Sequence, residues 1–211
     1  MTTRSMLDEE TLRIAVDELT KRDPHLQTVI KKHGYPPLWT RKPGFSTLVK
    51  IILEQQVSLA SAQTAYDKLL NRVNPLTPVS FLTLNNDELK QVGFSRQKTR
   101  YCRILAQSIL SGELDLDKLQ HQSNKKAMTS LTNLKGIGPW TAGIYLLMAH
   151  RRPDIWPRGD LALQASMQEV KQLPTRPSSD EAAELAEIWK PWRSVAAHIL
   201  WHNYLSEQNN I

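Results

Sequence analysis

Residues 131–164, LTNLKGIGPWTAGIYLLMAHRRPDIWPRGDLALQ, hold two features able to do chemistry. The first is the glycine pair Gly136 and Gly138, directly ahead of Pro139. Glycine allows φ > 0 and leaves nearby N–H groups uncovered by a β-carbon. Proline suits the first helical turn, where its missing N–H is no loss. Together they present amide donors at a helix N-terminus, which attracts a phosphate oxygen, and Lys135 and Thr141 flank the spot. The same letters also describe an ordinary tight turn. The second feature is a lone acid, Asp160, in WPRGDLALQ. A fixed carboxylate stabilises developing positive charge and can orient water. Taken alone, Asp160 is read more simply as the N-cap of the helix LALQASMQEV.

The elements that must position these groups read as helices. Apolar residues recur at three and four positions in almost every segment while β-branched alternation is nearly absent, so the expected fold class is all-α. Asp23-Pro24 is a cap followed by a first-turn proline, and HLQTVIKKH closes at Gly34. After a proline-broken linker, residues 35–44, helices follow over FSTLVKIILEQQ, SLASAQTAYDKLLNRV and, past Thr77-Pro78, VSFLTL. NDELKQVG is a short turn ending at Gly93. A long amphipathic helix starts at Ser95 and carries Arg96, Lys98, Arg100 and Arg103 in its first turns. Such a cluster suits a nucleic-acid backbone or, more commonly, a solvated face. Ser123 begins the helix that leads into the hairpin. Further on, Ser178 with Glu181 makes a capping box for EAAELAEIW, and Pro191 starts the last helix, PWRSVAAHILWHNYL. The expected organisation is one lobe from both chain ends, residues 1–42 plus 153–211, and a central lobe, 43–152, ending in a helix-hairpin-helix motif at about 124–149. Arg193 is read as a brace between the lobes.

At 211 residues the chain can bury a proper core. A net charge of +6 and a pI near 9.5 favour a polyanionic partner. The single cysteine, Cys102, excludes an intrachain disulfide framework and a cysteine-built zinc or iron-sulfur site. No apolar run approaches membrane-spanning length, and MTTRSMLDEETLR lacks the core of a secretory signal. A soluble intracellular protein is expected. His198 and His202 lie one turn apart, a metal-ligand spacing, but no third ligand accompanies them and they read as packing or polar lining.

The run LTNLKGIGPWTA, followed by an aspartate after the next helix, resembles the helix-hairpin-helix (HhH-GPD) DNA glycosylases. More narrowly it is similar to their alkylbase branch, the 3-methyladenine DNA glycosylase II type. RDPHLQTVIKKHG, FSTLVKIILEQQVSLASA and KPWRSVAAHILW agree with that branch in the family's order, so the resemblance covers about residues 22–201.

The resemblance implies a two-lobed helical enzyme of base excision repair, a monofunctional DNA glycosylase. It would flip alkylated bases, 3-methyladenine and 7-methylguanine, from double-stranded DNA and hydrolyse the N-glycosidic bond, as a monomer. The family's catalytic aspartate falls on Asp160. Ordinary sugar hydrolases use two carboxylates, but an alkylated purine already carries positive charge and one acid suffices. By resemblance Trp140 and Trp201 lie beside the active site, with Tyr35, Trp39 and Tyr145 as further pocket aromatics. The wedge that fills the gap left by the flipped base maps to Gln56. Gln55 beside it is structural or contacts the opposite strand. Expected DNA contacts are Gln55, Gln56, Ser58, Arg96, Lys98, Lys135, Gly136, Gly138 and Thr141. Main-chain carbonyls of Thr132, Leu134 and Ile137 would hold Na+ or K+, with no iron-sulfur cluster and no required cofactor. Trp140 stands where bifunctional relatives carry a Schiff-base lysine, so lyase activity is not expected. The β-rich N-terminal domain of many bacterial members is expected to be absent. The compartment would be bacterial cytoplasm and nucleoid, or a eukaryotic nucleus. Two alternatives stay open: a non-enzymatic DNA-binding module, in which Asp160 has no task, and a glycosylase of the same fold for another lesion.

Overall fold

A computed structural model describes residues 6–208. Among these, every regular element is helical. In chain order they are α1 (Glu9–Arg22), α2 (Pro24–His33), α3 (Phe45–Glu54), α4 (Leu59–Arg72), α5 (Pro78–Thr83), α6 (Asn86–Gln91), α7 (Arg96–Leu110), α8 (Leu116–Leu119), α9 (Asn124–Thr132), α10 (Pro139–Ile144), α11 (Leu161–Val170), α12 (Ser179–Leu185) and α13 (Arg193–Gln208).

Side-chain caps set most of the starts. Asp23 accepts the His25 N–H at 3.0 Å, and Gly34 at φ 79° closes α2. Thr77, Ser95, Ser123 and Ser178 each accept the N–H three residues on, opening α5, α7, α9 and α12. Each such bond satisfies a donor that the helix itself cannot pair. Two places differ from the sequence reading. NDELKQ is a short helix, because Asn85 and Glu88 cap one another reciprocally. The last helix starts at Arg193 and not at Pro191, since the Trp192 N–H turns back to Trp189 O at 2.7 Å.

The chain divides into two compact units, Met1–Thr40 with Leu146–Ile211, and Arg41–Tyr145. The sequence reading placed the borders at 42/43 and 152/153. The later border falls inside a helical stretch, the π-helical turn Tyr145–Ala149. Leu146 and Leu147 are buried, and Leu146 O accepts the Arg152 N–H at 3.2 Å. Packing, not Pro153, ends the central unit.

In the terminal unit α13 packs against α1, α2 and α11. Residues 194–201 are buried without a break, the pattern of a helix surrounded on all sides. Arg193 clamps Asp154 of its own unit, Nε to Oδ1 at 2.7 Å and Nη2 to Oδ2 at 3.0 Å, which corrects its reading as a brace between lobes. In the central unit α3 is the buried helix, packed against α4, α7 and α10.

One buried polar knot ties α2 to the C-terminal part of the terminal unit. Asp23 receives Lys171 Nζ at 2.6 Å and Trp189 Nε1 at 2.7 Å besides capping α2. Burial pushes its pKa up, but the bonds from Lys171 and Trp189 outweigh this and the net shift is downward. Its contribution is therefore present above the ordinary carboxylate range and lost as pH falls through the lowered pKa. Asp23→Ala strands a lysine and an indole N–H together, and urea unfolding should show a loss of about 3–5 kcal/mol. A loss under about 1 kcal/mol, the range of an exposed cap, would show that the knot is not a stabilising contact.

Candidate functional site

Asp160 is the N-cap of α11 and only 9% exposed. Its Oδ1 accepts the Leu163 N–H at 2.9 Å and the Trp201 Nε1–H at 3.2 Å. Gly159, at φ 86°, turns the chain immediately before it. Trp201 comes from the buried run of α13, and its ring stands edge-on to Trp39 at 6.4 Å and to His198 at 5.9 Å. His198 in turn lies nearly parallel to Trp39, 5.5 Å between centroids. The acid, two indoles and an imidazole thus form one cluster. His198 is fully buried and neither ring nitrogen has a hydrogen-bond partner. Burial lowers its pKa to about 4, so the ring is neutral near pH 7. Asp160 Oδ1 thus serves both the cap and the indole.

The hairpin belongs to the central unit. After α9, Leu134 O accepts the Ile137 N–H at 3.0 Å and Gly136 sits at φ 100°. A β-carbon on Gly136 would stand 2.2 Å from Tyr101 Cγ. Gly138 differs: at φ −85° and ψ 178° it is extended, and a β-carbon there would meet nothing within 4 Å. The expected need for positive φ therefore applies to Gly136 alone. A groove of about 450 Å³ runs between Thr132, residues 134–138, the Gln55-Gln56 turn and Gln97, Lys98 and Tyr101 of α7.

The other expected site residues fall into two groups. Gln56 is exposed at φ 56° at the tip of its turn, and Ser58, Arg96 and Lys135 are exposed too. Ser58 also caps α4 through the Ser61 N–H. Thr141 is engaged inward instead, which corrects its reading as a DNA contact, while Gln55, in the structural one of its two readings, and Lys98 are bonded inward and still line the groove. Gln55 Nε2 donates to Gly136 O at 2.9 Å and to Thr141 Oγ1 at 2.8 Å, and Thr141 is 1% exposed. Lys98 Nζ donates to Leu53 O at 2.6 Å, and partial burial lowers its pKa.

Among the aromatics, Trp140 is half-buried in α10. Tyr145 is 0% exposed and its hydroxyl accepts the Gly44 N–H at 2.9 Å; burial pushes its pKa up to about 12. It is a core residue, not a pocket wall. Tyr35 is exposed, donates to Asp17 of α1 and lies under Arg13 at 5.0 Å, so α1 holds it rather than the Asp160 cluster. His202 bonds to His33 O at 3.0 Å while His198 stacks on Trp39, so the pair does not converge. No group of three His, Cys, Asp or Glu suited to a metal occurs among the described residues. Thr132, Leu134 and Ile137 all line the groove. Carbonyl oxygens are the neutral hard donors an alkali cation takes, and Leu134 O keeps a second lone pair beyond its bond to Ile137. Tyr101 and Gln97 escaped the sequence reading. Their signal was the four-residue spacing that puts both on one face of α7, where Gln97 Nε2 donates to the Tyr101 hydroxyl at 2.6 Å.

The family described as HhH-GPD superfamily base excision DNA repair protein matches residues 49–191. A DNA-3-methyladenine glycosylase of Bacillus subtilis is 28% identical over 87% of this chain and 65% of its own length. DNA-3-methyladenine glycosylase 1 of Schizosaccharomyces pombe is 26% identical over 92% of each. The solved structure of the Schizosaccharomyces pombe 3-methyladenine DNA glycosylase with abasic DNA superposes with a TM-score of 0.82 at 25% identity, covering 89% of this chain and 94% of that one.

Two outcomes are expected from this geometry. Gly136→Ala meets both a left-handed backbone and the Tyr101 ring, and should cost about 2 kcal/mol or more of stability. Gly138→Ala should stay within about 1 kcal/mol, and equal losses in thermal denaturation would refute the distinction. Acid should also destabilise the protein well above the carboxylate range. An unfolded imidazole protonates near the ordinary 6.5, whereas His198 and His150 resist until about pH 4, each chiefly through burial. The unfolded state binds more protons between those values, so stability falls as pH drops from 6.5 to 4. Calorimetry across that range should show a falling Tm, less steep in His198→Phe; a flat Tm in the parent protein would contradict the assignment.

Proposed function

The chain belongs to the HhH-GPD superfamily of base excision DNA repair proteins, and on that premise we propose that it is a monofunctional glycosylase for alkylated DNA bases. The observation that carries the proposal is Asp160, held below the surface by Leu163 and Trp201 beside a neutral aromatic cluster. Relatives named as DNA-3-methyladenine glycosylases support 3-methyladenine as a substrate. We extend the range to 7-methylguanine, because it is likewise a purine made cationic by methylation.

In the proposed reaction the bond from C1′ of deoxyribose to the base nitrogen breaks, and its electron pair leaves on the base. That pair neutralises the charge the lesion carried, so no strong acid is needed. Positive charge develops on the sugar, and the Asp160 carboxylate stabilises it. Water adds its oxygen to C1′, and its proton leaves through the carboxylate or the solvent. Trp39 and Trp201 are the proposed aromatic partners of a cationic base, and neutral His198 adds no opposing charge. Gln56 is the proposed wedge. The Gly136 and Gly138 amides with Lys135 and Arg96 are the proposed phosphate contacts. An alkali cation on the Thr132, Leu134 and Ile137 carbonyls would stiffen the hairpin and add positive charge near a phosphate. Trp140 in place of the Schiff-base lysine supports the absence of lyase chemistry. A monomer suffices for all of these roles.

A pure DNA-binding module remains the second reading, and Asp160 separates the two. Asp160→Asn keeps a competent helix cap while removing the charge. With methylated duplex DNA, free methylpurine release should fall about 10²–10³-fold, with duplex affinity retained. Unchanged release would remove Asp160 from the mechanism, and no release by the parent protein would favour the binding module. Borohydride should trap no covalent adduct with DNA; a trapped adduct would establish lyase chemistry.

A further inference from the structure

Residues 53–55 are tied down one after another, and Gln56 is not. Leu53 O accepts Lys98 Nζ at 2.6 Å, and Glu54 is gripped by both terminal nitrogens of Arg41 at 2.9 and 3.0 Å. Gln55 spends its amide on Gly136 O and Thr141 Oγ1 at 2.9 and 2.8 Å. A glutamine amide nitrogen has two N–H donors, and here one is given to the hairpin and the other to α10. The next residue, Gln56, flips to φ 56° and is exposed. Val57 beyond it is 47% exposed.

We propose that Gln55 is a positioning residue that joins the Gln56 turn to the phosphate-facing hairpin, so that grip and wedge move as one body. The inference rests on the glycosylase reading above. A side chain pushed into a base stack meets resistance, and it stays in place only if that load passes to a part anchored on the DNA backbone. Gln55 supplies the path. One of its bonds ends on Gly136, against which the Tyr101 ring is packed too closely for a β-carbon. The other ends on buried Thr141 of α10, the helix that the hairpin opens. Lys98 adds a second tie from α7, the helix that also carries Tyr101.

The test compares the parent protein with Gln55→Met, which keeps length and removes both donors, and with Thr141→Val, which removes one acceptor. Single-turnover release of 3-methyladenine is measured from a normally paired site and from the same lesion in a mismatch, where flipping costs less. Gln55→Met should slow release at the paired site by about tenfold or more, and the loss should shrink to about twofold in the mismatch. Affinity for undamaged duplex should stay within about twofold, since the phosphate contacts remain. Thr141→Val should show the same split, smaller, and decides the matter if Gln55→Met does not fold. Combining Gln55→Met with Gln56→Ala should be no worse than either alone, because both act through the wedge. Equal losses on both substrates would mark Gln55 as merely structural, and no loss at the paired site would overturn the proposal. Failure of the parent protein itself to release base from either substrate would instead overturn the glycosylase reading, and the inference with it.

Discussion

A carboxylate can sit beneath the surface only where hydrogen bonds replace the water it gives up, and the terminal unit is arranged around that condition at Asp160. One bond comes from the backbone of α11, whose first turn has N–H groups to spare. The other comes from an indole on α13. Trp201 ends the stretch of α13 that α1, α2 and α11 bury, residues 194–201, and it reaches the acid with its ring still packed against Trp39 and His198. The same side chain that steadies the acid therefore shapes the apolar surface next to it. Asp23 solves the same problem elsewhere in the unit with a lysine and another indole.

The hairpin obeys a different constraint, close approach. Gly136 and Gly138 look alike in the sequence but serve different ends. Gly136 is required by the protein, through its positive φ and the Tyr101 ring pressed against it. Gly138 is required by neither backbone nor neighbours, and the open space before it is where a ligand backbone would come close. On the proposed reading one glycine builds the hairpin and the other leaves room for phosphate.

What could be read from the letters follows from which interactions are local. The helical class and the starts at Asp23, Thr77, Ser95, Ser123 and Ser178 were legible, because a cap acts over three residues. Asp160 stood out because its block follows a hairpin motif at a fixed interval. Thr141 and Tyr145 were misread because their partners lie 86 and 101 residues away, at Gln55 and Gly44. Polar groups beside a binding motif look like ligand contacts until their internal partners are known. The unit border misled for a related reason, since Pro153 is a local signal and the border depends on where Leu146 and Leu147 pack.

The electrostatics of the Asp160 cluster bear on which bases it can release. The four side chains gathered there are one carboxylate, two indoles and an imidazole whose burial keeps it neutral down to about pH 4. An imidazole that takes up a proton only below that point is a poor proton donor near neutral pH. On the proposed reading a methylated purine departs on the strength of its own charge and asks no proton of His198, whereas an uncharged oxidised base would need a donor. The same neutrality lets a cationic base approach without repulsion from His198, and the aromatic faces attract it. A neutral His198 beside the carboxylate then favours, on the proposed reading, bases that carry their own charge, which is the mark of alkylation damage.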